Sequence, residues 1–192
     1  GANQDQNDGQ GCYNAKRVEE ILGQTVDRMH FDEAWYGYAR FNPLYKDRFA
    51  MHGDPKKRDR KKEMTIFATQ STHKLLAALS QASFIHVRDG KKAVDHARFN
   101  EAFMMHASTS PNYAIIASND VTAAMMDGQG GKTLTDESIR EAVEFRKLVA
   151  KTNAVYVADK SWFFNVWQPD TVTVKGKKLP FYKVDDEYLC TH

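Results

Sequence analysis

A chain of 192 residues, 42% hydrophobic and 27% charged, has the make-up of an ordinary globular protein with enough apolar material for a core. Its 27 basic residues stand against 25 acidic ones, a formal net charge of +2, so composition gives no electrostatic case for nucleic acid or a membrane surface as partner. The two cysteines, Cys12 and Cys190, lack CxxC spacing, no apolar run nears the roughly 20 residues of a bilayer span, and the opening Gly1-Ala2-Asn3-Gln4-Asp5 has no leader character. The expected setting is therefore reducing and cytoplasmic.

In chain order, residues 1–11 read as polar loop, and Ala15 to Leu22 as a short helix with Val18, Ile21 and Leu22 on one face. Arg28 to Asp32 reads as a buried strand that delivers Asp32 and Glu33 to a cleft at its C-terminal end. The stretch Asp54 to Glu63 holds six basic residues without interleaved aromatics, which fits a solvated surface loop better than a phosphate-binding patch. Thr65 to Thr69 is a second strand, followed at once by the polar cluster Gln70-Ser71-Thr72-His73-Lys74. Leu75 to Ala82 resumes an apolar pattern, and Phe84 to Val87 reads as a third strand ending at Asp89-Gly90.

Ser110-Pro111 reads as the start of a helix over Tyr113 to Met126. Gly128 to Gly131 is expected to separate it from another helix, Asp136 to Lys151, capped by Thr135, with Ile139, Ala142, Val143, Phe145 and Val149 on its buried face. The last forty residues, including Trp162-Phe163-Phe164 and a turn at Lys175-Gly176-Lys177, read as strands and a hairpin.

Three motifs suggest chemistry. Asp32-Glu33-Ala34-Trp35 and Gly128-Gln129-Gly130-Gly131-Lys132-Thr133 resemble the two halves of a nucleotide hydrolase. The second lacks the first glycine of a P-loop, where Met126 stands, and the order is reversed. Among seven histidines, His30 shares a strand face with Asp32, but no third ligand follows at ligand spacing, so no metal site is expected. The segment Ser71-Thr72-His73-Lys74 places a hydroxyl, an imidazole and an amine consecutively between a strand and an apolar stretch. A lysine after a histidine is commonly a surface residue. Shielded from water it becomes a nucleophilic amine able to condense with an aldehyde such as that of pyridoxal phosphate. That cofactor also requires a carboxylate at its ring nitrogen, for which Asp32 is the candidate, and hydroxyls for its phosphate, which Ser71 and Ser108-Thr109-Ser110 can supply.

The runs HFDEAWYGYARFNP (from His30), TQSTHKLLAALSQASFIHV (from Thr69) and FMMHASTSP (from Phe103) resemble the Orn/Lys/Arg decarboxylases of fold type I, in the aspartate aminotransferase superfamily, over roughly Cys12 to Phe164. The resemblance implies an α/β fold: residues 1–127 as the C-terminal part of a pyridoxal-phosphate-binding large domain, and 128–192 as the beginning of a smaller α+β domain. It implies that Lys74 bonds the cofactor, that Asp32 pairs with its ring nitrogen, and that His73, Trp35 and Ser71 line it, with Lys74, His73 and Asp32 catalytic. Ser108 corresponds to a hydroxyl residue that reaches the cofactor of a second subunit.

It further implies a homodimer or larger homo-oligomer, and decarboxylation of a small basic amino acid. The run EAWYGYARFNP looks closest to the acid-inducible arginine branch, giving agmatine and carbon dioxide, since the lysine branch tends to carry serine where Glu33 stands. Lysine and ornithine remain alternatives, as do another reaction of the same cofactor and an inert association module, because family members are much longer than this chain.

Overall fold

The computed structural model describes residues 14–156 and 171–180, in two compact units, Cys12–Lys132 and Thr133–His192 with Gly1–Gly11. The opening loop, both cysteines and Trp162 to Phe164 lie outside the described residues.

The first unit is built on a three-stranded sheet in the order β1-β2-β3, with β1 at Arg28–Asp32, β2 at Thr65–Gln70 and β3 at Phe84–Arg88. β1 and β2 are parallel, joined by a connection holding 3-10 turns at Gly37–Phe41, Pro43–Tyr45 and Pro55–Lys57, and β3 returns antiparallel to β2. The register pairs Met29 with Ile66 and Phe31 with Ala68, so β1 and β2 present one apolar face, to which β3 adds His86 and Arg88. That face is covered: Ala50, Met64, Ile66 and Ala68 form the buried core, with Leu22, Val26, Met29, Phe31 and Met51 packed against it.

The opposite face carries His30 and Asp32 on β1, Phe67 and Thr69 on β2, and Ile85 and Val87 on β3. Phe99 stacks on Phe67 at 6.5 Å between ring centroids, while Ile85 and Val87 stay open, Ile85 at 50% exposure.

Helix α1 (Ala15–Leu22) starts where Asn14 Oδ1 accepts the Arg17 N–H at 3.0 Å. Val18 and Leu22 are half-buried, but Ile21, expected on the same face, is exposed. The single turn α2 (Thr72–Leu75) follows β2, α3 spans His96–His106, and α4 spans Tyr113–Met126. The cap of α4 is Asn112, not Ser110: Asn112 Oδ1 accepts from the Ala114 and Ile115 N–H groups at 3.0 and 3.3 Å.

Two expectations for the next segment need correction. The helices do part here, but at Asp127 and the left-handed Gly128, φ 62°, alone; Gly128–Gly131 otherwise forms the first turn of α5 (Gly128–Tyr156), and Thr135 lies inside that helix, not at its cap. A Cβ on Gly131 would sit 1.9 Å from the Met126 carbonyl oxygen, so close backbone approach explains the glycine there. Further along α5, Thr135 and Val143 are buried and Ile139 and Val149 half-buried, whereas Ala142 and Phe145 are exposed. As far as Val143 the buried stripe is one residue wide at a spacing of four, through Gly131, Thr135 and Ile139, narrower than the expected face.

The basic loop also differs from its reading. Arg58 is largely buried, donating to Glu63 Oε2 at 2.9 Å and to the His52 carbonyl oxygen. Arg58 therefore belongs to an internal charge cluster, while Lys56, Lys57, Arg60, Lys61 and Lys62 are exposed as expected.

In the second unit, β4 (Thr171–Val174) and β5 (Lys177–Pro180) form an antiparallel hairpin. Lys175 and Gly176, at φ 48° and 77°, turn it as the sequence implies, since both central positions of such a turn are left-handed.

Candidate active site

Parallel neighbours end at the same edge of a sheet, so β1 and β2 deliver their C-terminal loops to one place. Two backbone hydrogen bonds extend the pairing past the strands: Glu33 N–H to the Thr69 carbonyl at 2.9 Å, and Ser71 N–H to the Ala34 carbonyl at 3.3 Å. The loop that begins at Asp32 and the loop that carries Lys74 are thereby stitched together. Lys74 Nζ lies 4.8 Å from the centre of the Trp35 ring, a cation–π contact that closes the pair.

Asp32 is exposed at the strand end, with Oδ1 accepting the Ala34 N–H at 3.0 Å. Ser71 is half-buried and its hydroxyl does not cap α2; its carbonyl accepts the Lys74 N–H at 3.1 Å. His73 Nδ1 is 2.8 Å from the Ala82 carbonyl oxygen, which can only accept, so Nδ1 carries a proton. Thr72, between them, is buried, and its hydroxyl donates to Asn119 Oδ1 at 2.5 Å.

The structure thus brings together Asp32, Trp35, Ser71, His73 and Lys74. Ser108 stands apart: it is exposed in the loop between α3 and α4, and its hydroxyl accepts the Ser110 N–H at 3.2 Å. A cavity of about 640 Å³ lined by Arg40, Phe41, Asp120 and Asp127, among others, includes none of these residues.

Lys74 is exposed, contrary to the expectation that flanking apolar segments shield it. Leu75 and Leu79 project outward, at 48% and 52% exposure, so the apolar pattern after Lys74 does not cover it within this chain. Glu33 does not share a cleft with Asp32 either. Successive residues at a strand end point to opposite sides, and Glu33 is 6% exposed, its carboxylate accepting from Ala50 N–H at 2.6 Å and Gln70 Nε2 at 2.9 Å. Burial pushes the Glu33 carboxyl above its ordinary value, and those two hydrogen bonds offset the shift only in part.

Sequence reasoning missed Gln70 and Asn119, which brace the two loops from behind. Polar residues flanking a motif carried that signal, but their partners lie 37 and 47 positions away. His30 Nε2 pairs with Thr69 Oγ1 at 3.1 Å, and among the described residues no three His, Cys, Asp or Glu side chains are grouped to hold a metal ion. No described helix is long and apolar enough to cross a membrane.

The family model "Orn/Lys/Arg decarboxylase, major domain" matches residues 7–188. The biodegradative arginine decarboxylase of Escherichia coli K12 is 54% identical over 94% of this chain and 24% of its own length. The lysine decarboxylase LdcA of Pseudomonas aeruginosa is 51% identical over 84% of this chain and 21% of its own. The solved structure of lysine decarboxylase A from Pseudomonas aeruginosa superposes with a TM-score of 0.72 at 50% identity, covering 82% of this chain and 21% of that one. The chain spans about a quarter or less of the length of these relatives. A match that runs through nearly the whole sequence takes in both strand ends, Asp32 with Lys74, and on that ground the chain belongs to the Orn/Lys/Arg decarboxylase family.

Proposed function

We propose that this chain carries the cofactor-bearing loops of a pyridoxal-phosphate-dependent decarboxylase of a basic amino acid, arginine first, in the fold type I arrangement. The observation that carries the reading is the meeting of two loops at the end of the parallel pair, with Lys74 Nζ held over Trp35 on the loop that starts at Asp32.

The residues present fit the cofactor's chemistry: an exposed primary amine, an exposed carboxylate engaged, among the described residues, through Oδ1 alone, and a nearby serine hydroxyl that does not cap α2. When bound, pyridoxal 5′-phosphate supplies an aldehyde for amines to condense with and a ring that takes up the electron pair of a broken Cα–carboxylate bond. Lys74 Nζ is the amine assigned to that aldehyde, and Ser71 is assigned to the phosphate. Asp32 keeps the ring nitrogen protonated, because a neighbouring anion favours the charged form. His73, donating through Nδ1 to Ala82, leaves Nε2 as the nitrogen that takes or gives a proton, and either it or Lys74 returns a proton to the substrate's α-carbon.

Ser108, outside the cluster, is assigned to the cofactor of a second copy in a homodimer or larger homo-oligomer. The 54% identity to an enzyme named for arginine supports agmatine as the product; the 51% identity to one named for lysine makes lysine the second reading.

The test is reductive trapping with borohydride after pyridoxal phosphate is added to the full-length protein, with peptide mapping, followed by turnover of arginine, lysine and ornithine. Label on Lys74, loss of both label and turnover in Lys74→Ala, and retained binding with greatly reduced turnover in Asp32→Asn are expected. Label spread over other lysines, or full turnover by Lys74→Ala, overturns the reading.

A further inference from the structure

The turn that carries Lys74 is too short to hold itself. α2 has four residues, a length at which helix formation is dominated by its unfavourable nucleus, and Ser71 gives it no side-chain cap. The chain then returns to β3 through a turn closed by the Ala82 N–H on the Leu79 carbonyl at 3.0 Å, with Gln81 at its left-handed third position, φ 77°. Support from outside this segment comes from α4, a helix of fourteen residues with its own cap.

Two consecutive side chains of α4 hold this excursion. Asn119 Oδ1 accepts the Thr72 hydroxyl at 2.5 Å, and Asn119 Nδ2 donates to the Ser83 carbonyl at 3.4 Å. Ser118 Oγ accepts the Leu79 N–H at 3.1 Å while donating to the Ile115 carbonyl at 2.7 Å. The Asn119 amide is oriented by its partners: the Ser83 carbonyl can only accept, so nitrogen faces it and oxygen faces Thr72. Asn119 therefore ties the first residue of the Lys74 turn to the residue preceding β3. His73 adds a local closure, its backbone N–H and Nδ1 both directed at the Ala82 carbonyl. Among the described residues the Lys74 ammonium lies against Trp35 with no hydrogen-bond partner and its backbone N–H bonds to the Ser71 carbonyl, so the place of its Cα is set by Thr72 and His73, not by its own side chain.

We propose that Asn119 is a positioning residue, acting through the buried Thr72 hydroxyl to set the placement of Lys74. The proposal rests on the reading of Lys74 as the cofactor-binding lysine. Few side chains serve in its place. Aspartate offers the acceptor to Thr72 but sets a carboxylate against the Ser83 carbonyl, and leucine offers neither group. At Thr72, serine keeps the hydroxyl whereas valine keeps the shape and removes it.

The experiment uses the full-length protein with added pyridoxal phosphate and compares Thr72→Val, Thr72→Ser, Asn119→Asp and Asn119→Leu. Two quantities are read: the share of borohydride-trapped label on Lys74, and the hydrogen-exchange rate of the Lys74 backbone amide without cofactor. Loss of the Thr72–Asn119 hydrogen bond is expected to speed that exchange roughly tenfold in Thr72→Val and Asn119→Leu, with Asn119→Asp, which keeps the acceptor and loses only the exposed bond to Ser83, between them and wild type. Label should shift from Lys74 to other lysines in Thr72→Val and Asn119→Leu, with Thr72→Ser close to wild type in both readouts. Unchanged exchange and labelling in Thr72→Val and Asn119→Leu overturn the positioning role while leaving Lys74 as the cofactor lysine. Wild-type label away from Lys74 overturns the reading on which the role depends, and with it the role.

Discussion

Glu33 and Gln70 face each other across the ends of two parallel strands, joined by a hydrogen bond of 2.9 Å from Gln70 Nε2 to Glu33 Oε2. Each adjoins a residue of the site, Asp32 on one side and Ser71 on the other. The bond continues in both directions. His86 Nε2 lies 3.2 Å from Gln70 Oε1, Glu33 Oε1 accepts the Ala50 N–H, and the Ala50 carbonyl accepts from Arg88 Nη1 at 2.7 Å.

Removing the carboxylate leaves the fully buried Ala50 without an acceptor for its N–H. Glu33→Ala is therefore expected to lose roughly 1–3 kcal/mol of stability, the cost of a buried unsatisfied donor. Glu33→Gln separates this from charge. Because burial raises the Glu33 carboxyl, the folded state takes up a proton more readily than the unfolded one. Its stabilising effect is full below the ordinary carboxyl range and fades as pH rises through the raised value. In urea titrations at several pH values, Glu33→Gln should gain on wild type as pH rises. A difference that stays flat with pH refutes the assignment.

Glu19 gives the opposite sign. Burial pushes its carboxyl up, but hydrogen bonds from His52 and Arg88, with their charges, outweigh that and hold it below its ordinary value. His52 Nε2 lies 2.9 Å from Oε1 and Arg88 Nη2 2.5 Å from Oε2. Its contribution is present above 4.5 and is lost as pH falls through the lowered value. Glu19→Gln leaves Arg88 with a largely buried, uncompensated charge, while Arg58 keeps Glu63, so a loss of roughly 3–5 kcal/mol at neutral pH is expected. The loss should shrink in acid, and denaturation midpoints between neutrality and about pH 3 measure it.

The strands around the site were legible in sequence because short apolar runs bounded by polar clusters and Asp-Gly punctuation are local signals, as was the Lys175-Gly176 turn. What escaped were decisions made by distant partners. Gly128 to Gly131 read as a break because glycine costs a helix about 1 kcal/mol each, a preference that the close approach of Gly131 to Met126 overrides. Arg58 sat in a run of lysines that looked solvated, yet Glu63 and Glu19 draw it inward. The candidate residues could be named from their motif; the exposure of Lys74 could not be foreseen, since it depends on where Leu75 and Leu79 point.

Gly90 is a case of space, not of backbone conformation. A Cβ there would lie 2.3 Å from the Glu63 carbonyl oxygen and 2.4 Å from the Met64 carbonyl carbon, both backbone atoms that cannot swing aside. Its N–H donates to Thr65 Oγ1 at 3.0 Å, and Thr65 Oγ1 donates to the Lys92 carbonyl at 2.6 Å, so the chain leaving β3 is pinned to the start of β2. Gly90→Ala is expected to destabilise by roughly 1–3 kcal/mol through overpacking. Thermal melting tests it, and an unchanged midpoint shows that the β2 start gives way.

Asn112 and Ser110 offer competing caps for α4, and the hydrogen bonds decide between them. Asn112 Oδ1 takes two N–H groups of the first turn, whereas the Ser110 N–H is itself donated to Ser108. Asn112→Ala is expected to cost about 1 kcal/mol and Ser110→Ala much less. Asn112→Asp should be tolerated, since an anion at a helix N-terminus meets the positive end of the dipole. Chemical denaturation of the three variants ranks them. Because α4 also carries Ser118 and Asn119, amide exchange in Asn112→Ala should rise at Ala114 and Ile115 and propagate to the Lys74 turn. If Ser110→Ala proves the more damaging change, the helix begins two residues earlier than the Asn112 bonds indicate.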